Sequence, residues 1–419
     1  NVGVNILFRN EGPDEQGIVR LKDITKTSGT EDVRWATSAA FVDVDGDRDL
    51  DLYVVNNLLW HASTETPCFN YFSERDYCSP NNYNAASPDA LFVMGRSRFQ
   101  DWTPTSGLDA AFGNGLGVAP ADYDQDGHMD LYVANDATPN NLWHNQGRGK
   151  YADKGLLLGC AVNGNGTPEA GMGVQWVDVD QDGDLDLFMT HLRRETNTFY
   201  MNRRGRFTDK TNATGMNATS LKYTGFGMGF HDYDLDGQLD LYVVNGAVQA
   251  WRHEEVFAAD PYAEPNHLYQ GQGGTRFAPV AGGGEANQSV GTSRGAAFGD
   301  LDNDGDVDVV YMDRDGRTKL LMNNAKGHWI GFRMLDKRGD EVPGAVVGVT
   351  HQGKTAWRLA DPAYSYLASN DPRAHFGLGT SAEIEGITVR WPSGIVEKFD
   401  ALATGAYHIL REGLGLDDK

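Results

Sequence analysis

Five stretches of the sequence set aspartates in one frame, Asp-x-Asp-x-Asp-x-x-x-Asp. They are Asp43, Asp45, Asp47 and Asp51; Asp122, Asp124, Asp126 and Asp130; Asp178, Asp180, Asp182 and Asp186; Asp232, Asp234, Asp236 and Asp240; and Asp300, Asp302, Asp304 and Asp308. Carboxylates at positions 1, 3 and 5 of a tight loop converge on one point, and hard oxygen donors select a hard cation. Position 6 must turn sharply, and Gly127, Gly183, Gly237 and Gly305 supply that turn. The first loop has Arg48 there, so its turn is expected to be strained or differently shaped. The aspartate at position 9 closes the shell, with a backbone carbonyl near position 7 as a further donor. An EF-hand begins in the same way but needs a bidentate Glu at position 12 and helices on both sides. Position 12 here is Val54, Val133, Met189, Val243 and Tyr311, and strand-like runs flank each loop. Calcium is the expected ion, about five in all, because magnesium keeps its waters and zinc calls for His or Cys.

These loops account for the charge. The chain of 419 residues has 36 Lys and Arg against 59 Asp and Glu, a net charge of −23, and the five loops hold 23 aspartates. So acidic a balance excludes a nucleic-acid binder, which needs a basic footprint. Apolar runs such as Leu52 to Val55 are far short of the roughly 18 residues of a membrane span. With 18 Phe, 17 Tyr and 9 Trp the chain has too many apolar anchors to stay disordered. The opening Asn1-Val2-Gly3 has neither a charged n-region nor an apolar h-region, which is expected of a processed terminus.

The loops start at 43, 122, 178, 232 and 300, and after each comes an aromatic or Leu strand, a glycine turn and a Phe or Tyr strand. Examples are Leu142-Trp143-His144 to Tyr151 and Phe199-Tyr200-Met201 to Phe207. Each unit is thus about four short strands, the repeat of a propeller blade. Ile6 to Arg9 and Leu21 to Ile24 supply only the second half of a unit. The fold class read from this is all-β: a β-propeller of six or seven four-stranded blades over 1–326. A small β-sandwich-like domain over 327–412 and a tail at 413–419 follow. Insertions at about 57–88 and 246–265 leave room for a seventh blade.

Loops such as Asp178-Val179-Asp180-Gln181-Asp182-Gly183-Asp184-Leu185-Asp186, within strands like Gly295-Ala296-Ala297-Phe298-Gly299, resemble the FG-GAP/VCBS repeats of integrin α-type propellers. Residues 327–412 resemble an ASPIC/UnbV domain, carried by Gly344-Ala345-Val346-Val347, Ser365 to Arg373, His375-Phe376-Gly377-Leu378-Gly379 and Val389-Arg390-Trp391-Pro392-Ser393-Gly394. The resemblance implies calcium-carrying blades and a secreted, periplasmic or cell-surface protein. It implies no particular activity.

Other candidates are fewer. Cys68 and Cys78 are placed to close the first insertion as a disulfide in an oxidising compartment, whereas Cys160 reads as a core thiol. Glu169, His191, Arg193 and Glu195 flank the third loop's unit as candidate ligand or partner groups, and Trp60 and Trp251 mark the two insertions as a recognition surface. Gly291-Thr292-Ser293-Arg294-Gly295 matches a nucleophile elbow but runs into a strand rather than a helix. The favoured function is a calcium-binding extracytoplasmic protein that recognises a protein or glycan through propeller loops. A structural subunit of a surface assembly is the next reading. An enzyme acting on a glycan or secondary metabolite in the funnel is the third, disfavoured because no catalytic set is recognisable.

Overall fold

The computed structural model describes residues 3–250, 260–282 and 284–417. Strands carry the fold; the described helices are three to five residues long, and among the described residues no helix is long and apolar enough to cross a membrane. Four sheets are complete antiparallel meanders, called blades 1 to 4. Blade 1 comprises Ala36–Val42, Asp51–Asn56, Ala90–Met94 and Phe99–Asp101, and blade 2 comprises Gly115–Ala121, Asp130–Asn135, Asn141–Asn145 and Tyr151–Asp153. Blade 3 comprises Gly171–Val177, Asp186–His191, Thr198–Arg203 and Arg206–Asp209, and blade 4 Gly225–His231, Asp240–Asn245, His267–Gly271 and Phe277–Pro279. Blade 5 has three strands, Ser293–Gly299, Asp308–Asp313 and Thr318–Leu321. Each aspartate loop joins the first strand of a blade to its second.

The second strands of blades 1 to 4 are buried at all six positions. A strand flanked in its own sheet and covered on both faces by neighbouring blades reads as a continuous apolar run, not as an alternation. The first strands of successive blades lie side by side from blade 1 to blade 5, the arrangement of a propeller. This contact is so close that glycine is required. A Cβ on Gly117 would lie 2.2 Å from the Met172 carbonyl oxygen, and one on Gly173 2.3 Å from that of Phe226. Gly173→Ala is therefore expected to destabilise the chain by about 3 kcal/mol, as overpacking against backbone does. An unchanged urea midpoint would contradict this packing.

A two-stranded sheet, Phe8–Pro13 with Val19–Asp23, precedes blade 1. It carries the same exit as a blade. Asp23 accepts the Thr25 N–H while the Thr25 hydroxyl accepts that of Leu7, as Asp101, Thr103 and Leu91 do in blade 1 and Asp209, Thr211 and Phe199 in blade 3. Counted as repeat units among the described residues there are six, of which four have four strands. The insertions supply no seventh among the described residues, because Cys68–Phe69 pairs with Arg75–Asp76, and Glu264–Pro265 with Val290–Gly291, in isolated two-stranded sheets.

The C-terminal strands form two sheets. One orders Ala374–Gly377, Trp329–Leu335 and Tyr407–Arg411; the other orders Lys354–Ala360, Ala345–His351, Gly386–Arg390, Val396–Phe399 and Leu416–Asp417. Ile330, Phe332 and Phe376 from the first and Val347, Val349 and Val389 from the second share one core. Two apolar sheet faces packed on each other make a sandwich.

Candidate functional site

The carboxylate at position 1 shapes each loop. Asp122 accepts the N–H groups of Asp126 and Gly127 at 3.0 and 2.9 Å, and Asp178, Asp232 and Asp300 do the same at the matching positions. The position 9 carboxylates Asp51, Asp130, Asp186, Asp240 and Asp308 are buried. They accept the N–H groups of Met94, Asn145, Asn202, Gly271 and Asn323 at 2.7–2.9 Å, so each loop is tied to the next strand but one.

Two residues per loop are left-handed. Gly127, Gly183, Gly237 and Gly305 occupy position 6 with φ between 86° and 97°, while Gln125, Gln181, Leu235 and Asn303 occupy position 4 near 60°. The first loop has the same two turns with the glycine moved: Gly46 at position 4 has φ 82° and Arg48 at position 6 has φ 72°. Its shape is conserved and the strain falls on Arg48, roughly 1–2 kcal/mol for a residue with a Cβ.

The donor geometry fits a cation. Ligand oxygens of Asp43, Asp45 and Asp51, of Asp178, Asp180 and Asp186, and of Asp232, Asp234 and Asp240 lie within 4.8 Å of one another, so these clusters could hold metal ions. In the second loop the same holds for Asp122, Asp124 and Asp126, and for Asp124, Asp130 and His144. Buried carboxylate oxygens of Asp124, Asp130, Asp180 and Asp306 have no hydrogen-bond partner, which is expected of ligands whose partner is an ion. Burial, reinforced by neighbouring aspartates, pushes Asp51, Asp130 and Asp240 up to about 7 and Asp186 and Asp232 up to about 8. The loops thus crowd negative charge that a dication would relieve. In blade 3 the Arg203 guanidinium pairs with Asp180 and Asp182 and offsets part of that charge.

The C-terminal sandwich covers this loop end. Arg338 donates to Asp49 and to the Arg48 carbonyl, and Arg48 pairs with Glu412 at 3.3 Å. Gly394 abuts Gly127, Arg390 donates to the Gly183 carbonyl, and the Gly379 N–H donates to the Leu235 carbonyl. At the fifth loop Arg373 donates to Asn303 and to the Asp300 carbonyl, Tyr407 donates to Asp300, and His375 lies 2.9 Å from the Gly305 carbonyl. From the sandwich a segment at 361–373 runs along the inner strands. The Ser365 N–H donates to the Val174 carbonyl, its hydroxyl joins Met228 N–H to the Ala296 carbonyl, and Asn370 accepts the Phe298 N–H.

The opposite end of the blades carries the remaining candidates. His191 ends the second strand of blade 3, 1% exposed and 3.9 Å from Glu169. Burial drops it to about 4, so it is neutral at pH 7. Glu169 is held by Asn163 and Thr198, and Glu195, pushed up to about 7 by burial, accepts the Ala170 N–H. Arg193 lies 3.8 Å from Glu264. The structure therefore brings Glu169, His191, Arg193 and Glu195 to one rim, where the carboxylates fasten neighbouring turns.

Trp60 is not an exposed anchor: its indole donates to Glu65 and packs edge-on to Trp35. Trp251 lies outside the described residues. In the first insertion the exposed rings are instead Phe69, Tyr71, Phe72 and Tyr77, on the hairpin that the Cys68–Cys78 disulfide closes; Tyr71 is 86% exposed. Asp76 ties this hairpin to the second insertion by accepting the Ala250 N–H and the Tyr262 hydroxyl. Phe69, Asn70, Tyr71, Arg194, Gln249 and Ala250 line a half-open cavity of about 370 Å³ between the two insertions. Cys160 is a free, buried thiol.

Sequence reasoning missed the clamps between blades. Asn145 Nδ2 donates to the Val44 carbonyl in the loop of blade 1, Asn202 to that of Tyr123 in the loop of blade 2, and Asn323 to that of Tyr233 in the loop of blade 4. Their signal is an Asn closing the third strand of a unit. Asn202 also donates to the Leu185 carbonyl and accepts the Gly205 N–H, fully buried. Asn202→Ala leaves those groups unpaired and is expected to cost about 3 kcal/mol, read as a lower thermal midpoint.

Residues 337–416 match the family model described as ASPIC and UnbV, and residues 122–189 and 178–243 match the FG-GAP-like repeat. Cartilage acidic protein 1 of Xenopus tropicalis is 25% identical over 293 residues, 67% of this chain and 42% of that protein. The Mus musculus protein of the same name is 22% identical over 372 residues, 74% of this chain and 57% of that one. The chain thus spans about half the length of these relatives. Among solved structures, an Agrocybe aegerita lectin specific for non-reducing terminal N-acetylglucosamine has a TM-score of 0.37 at 14% identity, covering 77% of this chain and 90% of that one. A Bacillus licheniformis rhamnogalacturonan lyase has 0.31 at 11%, covering 98% and 77%. At these scores the likeness carries no functional argument.

Proposed function

For a chain that carries FG-GAP-like repeats and an ASPIC and UnbV module, we propose the role of an extracytoplasmic binding protein. Calcium in the aspartate loops stabilises it, and it recognises a protein or glycan through the loops of the end opposite them. The observation that carries this reading is the division of labour between the two ends. The sandwich occupies the loop end, whereas exposed aromatic rings and a cavity mark the other. Carboxylate donors at positions 1, 3 and 9 suit calcium at extracellular concentration, where sites of roughly 0.1–1 mM affinity fill. The Cys68–Cys78 disulfide suits an oxidising compartment. Exposed Tyr and Phe beside a cavity suit recognition, since such rings dominate interface energetics.

The test is binding to arrays of glycans and of secreted proteins, in calcium and after chelation, with the Phe69→Ala/Tyr71→Ala double variant as the control. The expected result is a set of hits weakened at least about tenfold by the variant and abolished by chelator. Hits that the variant leaves unchanged would refute recognition at this end.

A further inference from the structure

The second loop differs from the other four in its donors. In each blade one residue stands just before the one whose N–H ties the position 9 carboxylate. It is Val93, Met201, Gln270 and Met322 in blades 1, 3, 4 and 5, but His144 in blade 2. His144 Nδ1 lies 3.2 Å from Asp130 Oδ1 and 3.6 Å from Asp124 Oδ2. Asp124 Oδ1 and Asp130 Oδ2 are buried without a hydrogen-bond partner, and the Asp130 side chain is fully buried. At position 7, where blades 1, 3 and 5 have Asp49, Asp184 and Asp306, blade 2 has His128. Blade 4 has Gln238 at that position, so what sets the second loop apart is the imidazole it has gained at 144.

We propose that the second loop holds a transition dication of the zinc type on Asp124, Asp130 and His144 Nδ1, while the other loops hold calcium. The inference rests on reading the loops as cation sites and concerns which cation one of them takes. Imidazole nitrogen is a poor donor for calcium and a good one for borderline first-row dications. Donors around a tetrahedral zinc with bonds of about 2.0–2.1 Å stand about 3.3 Å apart; Nδ1 lies 3.2 Å from Asp130 Oδ1, which also accepts the Asn145 N–H, and 3.6 Å from Asp124 Oδ2, and the partnerless oxygen of each carboxylate is the one left free for an ion. The Tyr123 ring stands edge-on to the imidazole with centroids 6.0 Å apart and braces it from one side, and its hydroxyl, 3.5 Å from Nδ1, gives up that contact when Nδ1 binds the ion. The competing arrangement is a protonated His144 that neutralises the two carboxylates itself and binds no metal.

The experiment is native mass spectrometry of the full chain in millimolar calcium with one equivalent of added zinc. The expected result is one retained zinc alongside calcium in the other loops. His144→Val installs the residue that blade 1 has at this place, and, since losing even an outer-shell partner costs about 10–100-fold, loss of this direct ligand is expected to weaken zinc binding by at least that much while a calcium ion takes the loop. No zinc on the wild-type chain, or equal zinc on the variant, overturns the proposal. Should the variant fold poorly, cobalt on the wild-type chain decides. An intense visible spectrum means a low-coordinate site with a nitrogen donor, and a weak six-oxygen spectrum overturns it. Failure of every loop to take calcium would defeat the proposed function, whereas zinc lost with His144 would still support this site.

Discussion

Chelating calcium is expected to lower the melting temperature by about 7 °C at pH 8 and by much less at pH 5. A site filled at tenfold excess over its dissociation constant stabilises the folded state by about 1.4 kcal/mol, so five filled loops, the second included whichever dication it holds, together give about 7 kcal/mol. For a chain of 419 residues, at an unfolding entropy of about 2.1 cal/mol/K per residue, each kcal/mol moves the midpoint by about 1 °C. The pH dependence follows from the direction of the shifts. Asp51, Asp130, Asp186, Asp232 and Asp240 are raised to between about 7 and about 8 without an ion, against an ordinary value of 3.8. The metal-free folded state therefore binds more protons than the unfolded chain across this window. Its stability falls as pH rises from about 4 through about 8, the reverse of a salt-bridged aspartate. Calcium removes that loss by replacing the protons. Differential scanning fluorimetry with and without chelator across this range checks both signs. A metal-free midpoint that climbs with pH would show that the loops do not crowd charge as described.

Arg373→Ala is expected to have the largest effect of any single substitution on the joint between blades and sandwich. Arg373 forms a fork with Asp371, donates to the Asp300 carbonyl and to Asn303, and lies 3.7 Å above the Tyr407 ring, with a side chain only 18% exposed. Its removal strands Asp371 beside a loop that is already acidic, at a cost of about 3–5 kcal/mol. Arg373→Lys is expected to recover little, because a point ammonium cannot reproduce the fork or the stacking. Limited proteolysis should cut between blade 5 and the sandwich in the variant, and calorimetry should show the calcium stoichiometry reduced by the fifth loop. A variant that melts with the wild type would remove Arg373 from this role.

How far the sequence reveals the molecule depends on the distance over which each feature is encoded. The aspartate loops are legible because their spacing acts within nine residues, and the strands after the first four are legible because burial on both faces makes their centres continuously apolar. The shape of the first loop is hidden because backbone handedness depends on two positions together, and Gly46 takes over what Arg48 forgoes. Asn145 and Asn202 look like ordinary strand ends, since their partners Val44 and Tyr123 belong to the preceding blade. Trp60 reads as an anchor by residue type, yet Trp35 and Glu65 engage it. The exposed rings lie instead in a hairpin whose display depends on the Cys68–Cys78 bond. The Ser365-to-Arg373 motif is legible as a signature, but its place beneath the blades is a property of the assembled fold.

The segment from 361 to 373 has a consequence for birth on the ribosome. Its backbone and side-chain partners Val174, Met228 and Ala296 leave the exit tunnel well before Ser365 does. At translation rates of about 5–20 residues per second the earliest of them wait on the order of ten to forty seconds. During that interval the inner strands can stack on one another, but Met172 and Phe226 still lack the Tyr366 ring that later covers them. The nascent chain thus completes its interior from its last third, and an arrest before residue 361 would leave a stacked but uncovered intermediate for chaperones to hold.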